Sequence, residues 1–261
     1  MKENLKTKII GIVGGVGPYA GLDLKKKIFD NTKALSDQEH LEVYLLSSSK
    51  YITDRTKFLQ DPLGVENPAF AIFSIIEKLI KIGSSVIGIP CNTSHVPLIF
   101  DKIISLINGS GLDIELLNMI EETKKHIIEK FNNIKKVGLL ATLGTYHSMV
   151  YQKTFTASDS PEILTPGESC KEKVHNAIYD KSYGIKAYSN PVTEKAVNEL
   201  KDVIEILKKK GAQAIIMGCT EIPLALNYKI TDIPLIDPTN VLARALIKRA
   251  DESKLKENSA L

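Results

Sequence analysis

The chain of 261 residues is long enough for one large α/β domain or two modest ones, and its 43% hydrophobic and 25% charged residues are ordinary for a folded protein. A net charge of only +3, with lysines interleaved among glutamates as in EETKKHIIEK, describes solvated helix faces and argues against a nucleic-acid partner. Aromatics are sparse, and no run approaches the roughly 20 apolar residues that a membrane span needs.

The start MKENLKTKIIGIVGG is basic, but glycines break its apolar run within five residues. It reads as neither a secretory signal nor a spanning helix, so the expected location is the cytoplasm. Cys91, Cys170 and Cys219 cannot all pair and form no C-x-x-C, which points to free thiols. No His or Cys lies at zinc-ligand spacing, so no metal site is expected.

In chain order, KIIGIVGG (8–15) reads as a buried strand entering a glycine turn, followed by a helix over 20–35. LEVYLLSSS (41–49) is the next strand. A helix over 67–83, stopped by Gly83, leads to a short strand at 84–90 that ends in CNTSHVP. KKVGLLAT (135–142) opens a new strand. A long amphipathic helix covers 193–211, and AQAIIMG (212–218) is a strand running into CTEIP. This alternation predicts parallel sheets with right-handed crossovers.

The most informative feature is a repeat. KIIGIVGGVGPY aligns with KKVGLLATLGTY, so that Gly11 meets Gly138 and Gly17 meets Gly144, at an offset of 127. KIGSSVIGIPCNT aligns with KKGAQAIIMGCTE, so that Cys91 meets Cys219, at an offset of 128. Shared strand–glycine–helix grammar would explain the glycines, but not two cysteines at equivalent strand ends. The expected fold is therefore α/β with two similar lobes, each a mainly parallel sheet flanked by helices. A pseudo-twofold relates the lobes and places the site in the cleft between them. The first lobe is expected over 1–114 plus 231–261 and the second over 115–230. The helix 239–250 would pack on the first lobe, with 251–261 frayed beyond it.

The repeat bears on the glycine loop. From Gly15 the sequence reads G-x-G-x-x-A, nominally a dinucleotide fingerprint. The second strand ends in SSSK, without the acidic residue that would hold a ribose, and Pro18 removes a backbone N–H where a phosphate would want one. The equivalent loop in the second half offers the hydroxyls of Thr142 and Thr145. A small anion held between lobes, near Gly15 on one side and these threonines on the other, suits the pair better.

Each repeated cysteine sits just past a strand and before an expected helix start, where a helix N-terminus would lower its pKa. Asn92, Thr93, Thr220 and Glu221 are cap-type residues that offer donors to a carboxylate. Two thiols facing each other across a cleft can take a proton from one face of a stereocentre and return one to the other. A lone cysteine at a strand end is otherwise a small buried hydrophobe, and that reading stands for Cys170. His95, one helical turn beyond Cys91, either tunes the thiolate or packs; His147 reads as structural or solvent-facing. Arg55, in SSSKYITDRT, offers a carboxylate a bidentate grip but is on sequence alone an ordinary loop arginine.

GGVGP, DRT (54–56), PCNTSH (90–95), GIKA (184–187) and GCTEI (218–222) occur in this order. Together they resemble the aspartate/glutamate racemase family, most closely its cofactor-independent aspartate racemases. The resemblance implies that Cys91 and Cys219 transfer the proton. It further implies that Asn92, Thr93, Thr220 and Glu221 line the pocket, and that Arg55 and Lys186 contact the carboxylates of a small dicarboxylic amino acid. It implies no cofactor and is compatible with a homodimer. Val16 stands where methionine is common, and Ser94 where alanine is, which bears on pocket shape. Other readings stay open at this point: a glutamate or hydantoin racemase, a maleate isomerase, an arylmalonate decarboxylase, or a two-lobed amino-acid sensor without catalysis. A redox disulfide between Cys91 and Cys219 is disfavoured, because a proton-transfer pair needs a substrate atom between the sulfurs.

Overall fold

The computed structural model describes residues 7–226 and 229–257. The chain begins with β1 (Ile9–Gly14), α1 (Pro18–Asn31), β2 (Val43–Ser47), α2 (Arg55–Gln60), α3 (Ala69–Lys81), β3 (Ser84–Gly88), α4 (Pro97–Ser110) and β4 (Glu115–Leu116). It continues with α5 (Met119–Lys130), β5 (Lys136–Ala141), α6 (Leu143–Ser148), α7 (Val150–Thr154), β6 (Glu162–Leu164) and α8 (Glu168–Tyr179). The remaining elements are α9 (Glu194–Lys209), β7 (Ala214–Gly218), α10 (Ile222–Ala225), β8 (Leu235–Ile236) and α11 (Pro238–Asp251).

Two four-stranded sheets have the same order, β2-β1-β3-β4 and β6-β5-β7-β8, and every strand pair is parallel. The expected pair of α/β lobes is present. β1 and β5 occupy equivalent places, as do β3 and β7, the strands that lead to Cys91 and Cys219. Both central strands are almost continuously apolar because helices cover both faces of each sheet.

The helices divide each lobe into three layers. In the first lobe, Leu24 and Ile28 of α1 meet Leu242 and Leu246 of α11 over Ile10 and Val86 of the sheet. Ile72 and Ile76 of α3, with Ile99 and Ile103 of α4, cover Val13 and Ile87 on the other face. In the second lobe, Val174 of α8 and Leu200, Val203 and Leu207 of α9 cover Ile215. Ile120 and Ile127 of α5, with Tyr151 of α7, cover Val137 and Ile216. Each fully buried aliphatic chain of this kind contributes about 1.5–3 kcal/mol relative to its exposed state. Val96 of the first lobe joins this last cluster, so part of the seam between lobes is itself apolar.

Local signals fix the helix ends. Pro18, Pro97 and Pro238 start α1, α4 and α11, where a missing N–H costs nothing. Asp54 caps α2 by accepting from Lys57 N, and Thr193 caps α9 by accepting from Ala196 N. Helix α1 stops at Asn31 rather than running to 35, because Thr32 turns extended and bridges Leu255. That bridge also overturns the expected fraying of 251–257. Lys33 N donates to Lys254 O at 2.7 Å and Lys256 N to Asn31 O at 2.9 Å, which ties the segment to the end of α1. Residues 258–261 lie outside the described set. The chain crosses between lobes slightly later than residues 114 and 230, because β4 belongs to the first sheet and β8 to the second.

Candidate active site

Two strand ends build the site. β3 runs through Ile89 and Pro90 to Cys91, which opens a single 3-10 turn, Asn92–His95. β7 ends at Gly218 and is followed at once by Cys219. Gly218 has no room for a side chain: a Cβ there would lie 2.6 Å from Leu139 Cδ1 and 2.9 Å from Leu140 O. Both thiols are buried, at 7% exposure, and both line one cavity of about 10 Å³ between the lobes. That is room for about one water molecule. A far larger groove, about 640 Å³, lies between α5 and α11 among alternating charges, and neither thiol lines it.

The second lobe supplies a tightly coupled charge cluster. The Cys219 thiol donates to Glu221 Oε2 at 2.9 Å, and Glu221 Oε1 forms an ion pair with Lys186. Burial opposes ionisation of Glu221, but Lys186, the Cys219 hydrogen bond and Arg55 together hold its pKa below the usual carboxylate value. Lys186 is likewise held above its ordinary value: burial opposes its charge and Glu221 overcomes that. Burial and the neighbouring Glu221 carboxylate push the Cys219 thiol well up. The expectation that a helix N-terminus lowers the thiol pKa therefore fails for Cys219. The helix that follows it, α10, has four residues, too short to outweigh an adjacent carboxylate.

The first lobe supplies donors. Arg55 is 7% exposed at the first turn of α2. Its Nη2 donates to Val16 O at 2.8 Å and its Nη1 to Thr53 O at 3.3 Å, whereas Nε has no oxygen acceptor. Burial opposes its charge, but Cys91, Tyr179 and Asp54 around it raise its pKa. Asn92 Oδ1 accepts from Tyr151 Oη of the second lobe at 2.5 Å, which leaves Asn92 Nδ2 without an acceptor. Thr93 Oγ1 lies 3.0 Å from Thr145 Oγ1 and 3.4 Å from Thr142 Oγ1, so three buried hydroxyls satisfy one another across the seam.

The structure thus gathers Cys91, Asn92, Thr93, Arg55, Thr142, Lys186, Cys219, Thr220 and Glu221 around one cavity. Thr145 stands behind it, bonded to Thr93. Gly15 is placed elsewhere. Its φ of +88° is a glycine conformation, and a Cβ there would lie 2.6 Å from Ser49 N, so its role is the close approach of the β1–α1 loop to the chain after β2. Gly17 brings that loop to the site instead, since a Cβ at this position would collide with the Glu221 carboxylate. His95 is a packed ring: 2% exposed, Nε2–H donating to Ile89 O at 3.1 Å, with burial lowering its pKa to about 4. His147 is exposed, and Cys170, on α8, is half-buried against the edge of the second-lobe core rather than fully buried.

Tyr179, at the end of α8, escaped the sequence reading. It lines the cavity, donates to Asp54 Oδ2 at 3.1 Å, and carries Lys186 Nζ 5.2 Å from its ring centroid. Nothing in AIYDKSYG separates it from other helical tyrosines, and Asp54 is read locally as a helix cap. Among the described residues no three His, Cys, Asp or Glu side chains converge as a metal site.

Comparison with known proteins identifies the family. The Asp/Glu/Hydantoin racemase family matches residues 13–246. An aspartate racemase of Picrophilus torridus is 31% identical, superposes with a TM-score of 0.79, and the match covers 95% of this chain and 96% of that one. The broad specificity amino-acid racemase RacX of Bacillus subtilis is 26% identical over 92% of this chain and 96% of its own. A glutamate racemase of Corynebacterium glutamicum is 24% identical over 79% of this chain and 70% of its own. Matched along nearly its whole length, the chain belongs to the Asp/Glu/Hydantoin racemase family.

Proposed function

We propose that the protein interconverts the L and D forms of a small dicarboxylic amino acid, aspartate foremost, without a cofactor, by proton transfer between Cys91 and Cys219. One observation carries the reading: two thiols at equivalent strand ends of two lobes line one cavity, flanked by Arg55 and Lys186. Before either thiol ionises, the walls hold two cations, Arg55 and Lys186, against one carboxylate, Glu221. A substrate with two carboxylates and one ammonium is the complement of that excess. Arg55 Nε and Asn92 Nδ2 support a carboxylate position, because a buried donor without an acceptor costs about 1–3 kcal/mol that a bound oxygen would recover.

The chemistry has one hard step. An amino-acid α-proton is a far weaker acid than a thiol, so the developing carbanion must be stabilised by the walls. The thiolate of one cysteine takes the α-proton, and the electron pair left on Cα takes a proton from the thiol of the other on the opposite face. The substrate leaves inverted and the cysteines have exchanged roles. Glu221 keeps Cys219 protonated, so Cys219 enters as the acid and Cys91, beside Arg55, as the base. The reverse direction starts from the exchanged pair. The 31% identical aspartate racemase favours the shorter side chain over glutamate.

The test is to incubate purified protein, with no added cofactor, with L-aspartate, L-glutamate or L-alanine and to follow the D forms by chiral chromatography. Aspartate should racemise at least about tenfold faster than the other two. Binding of aspartate with no inversion of any of the three would favour the sensor reading instead.

A further inference from the structure

The cavity between the thiols holds about one water, too little for an amino acid, so the lobes must part before anything enters. The polar bonds that join the lobes here differ in their access to solvent. Tyr151 and Asn92 are 0% and 2% exposed, and the three threonine hydroxyls are also sealed. The bond from Tyr179 to Asp54 lies between two residues of intermediate exposure. A bond at the rim breaks by exchanging its partner for water, whereas a sealed one must leave a polar group unsatisfied. Opening therefore pivots on the sealed base and releases at the rim.

We infer that Tyr179 is a positioning residue that latches the two lobes over the site through its hydroxyl on Asp54. Its ring is set for the task. It stacks on His175 at 4.6 Å with planes 21° apart, packs against the second-lobe core, and has Lys186 Nζ 5.2 Å from its centroid. His175 is itself fixed, its Nδ1 accepting from Leu143 N at 3.4 Å. On the opposite lobe Asp54 caps α2, whose first residue is Arg55. When the latch forms, Arg55 and Lys186 are brought to opposite walls of one cavity; when it breaks, they separate with their lobes. Burial keeps the phenol protonated as a donor; burial opposes ionisation of Asp54, but the cap bond from Lys57 N, with Arg55 and Tyr179, holds its pKa below the usual value and keeps it an acceptor.

The latch concerns the same cleft as the proposed reaction but can be tested without turnover. Cys91 and Cys219 are 7% exposed, so an alkylating reagent reaches them only when the cleft opens. The rate of iodoacetamide modification is measured for each cysteine by peptide mass spectrometry between pH 7 and 9, in native protein and in Tyr179→Phe. Cys170, half-buried on α8 and outside the cavity lining, is the internal control. The expected result is a roughly tenfold faster modification of Cys91 and Cys219, with Cys170 and the shape of both pH profiles unchanged. Asp54→Asn, which keeps the helix cap and weakens the latch, should give an intermediate rise of about threefold. Cleft thiols within twofold of native in both variants would overturn the latch, as would an equal rise at all three cysteines. So would a changed pH dependence of the modification rate in Tyr179→Phe, which would mean that Tyr179 acts on thiol ionisation. None of these outcomes alters the racemase reading, which the chiral assay tests separately.

Discussion

Glu221 accepts the Cys219 thiol on one carboxylate oxygen and Lys186 on the other, so a single buried side chain couples the acid of the proposed reaction to a cation of the cavity wall. Replacing it by glutamine keeps the shape but strands Lys186 without a counter-charge. A fully buried pair broken in this way loses about 3–5 kcal/mol. The Lys186 side chain is a quarter exposed and partly solvated, so Glu221→Gln should cost about 2–3 kcal/mol in urea unfolding.

The same carboxylate sets a pH dependence. Its folded pKa lies below the ordinary value of 4.5, so its contribution is complete above about pH 4.5 and is lost as pH falls through the lower folded value. The unfolding midpoint of the native protein should drop below pH 4.5. Glu221→Gln, already lacking the ion pair, should show a shallower drop over the same interval.

His95 contributes at higher pH. Burial lowers its pKa from 6.5 to about 4, so between those values the unfolded chain binds a proton that the folded chain does not. Stability therefore falls as pH is lowered from about 6.5 to about 4, by up to roughly 3 kcal/mol for this one group. His95→Gln, which keeps a donor for Ile89 O, should flatten the curve in that window and leave the acid limb below it in place.

At Gly144, α6 approaches α2 closely across the seam. A Cβ there would lie 2.9 Å from Thr56 Oγ1 and 3.3 Å from Thr56 Cα, too near for the closed lobes. In the proposed reaction, Gly144→Ala should raise KM for aspartate by about three- to tenfold through a less favourable closure. Its unfolding midpoint should fall by only a few degrees, because the three clusters away from this seam are untouched.

Much of this was legible in the sequence because it rests on periodicity and repetition. The strands of 5 residues that lead to the cysteines stood out as apolar runs, and a register offset of 127–128 residues put Cys91 and Cys219 at equivalent strand ends. Strands β4 and β8, two residues each, are too short to show a period, so the crossings between lobes were read a few residues early. Local grammar also misled. Gly15 looked like a ligand cradle, yet its geometry serves the backbone of Ser48 and Ser49, and the cap-type residues after each cysteine start only a single turn. Tyr179 was invisible because its partner, Asp54, lies 125 residues away in the other lobe.

The central claim is that each thiol serves one face of the substrate. Its most direct measurement is racemisation and α-deuterium incorporation in deuterium oxide, starting from each enantiomer of aspartate, with Cys91→Ser and Cys219→Ser. Both variants should lose racemisation by about 10²–10⁴-fold, and any residual exchange should occur without inversion and from opposite enantiomers in the two. Racemisation at the native rate by either single variant would contradict the account.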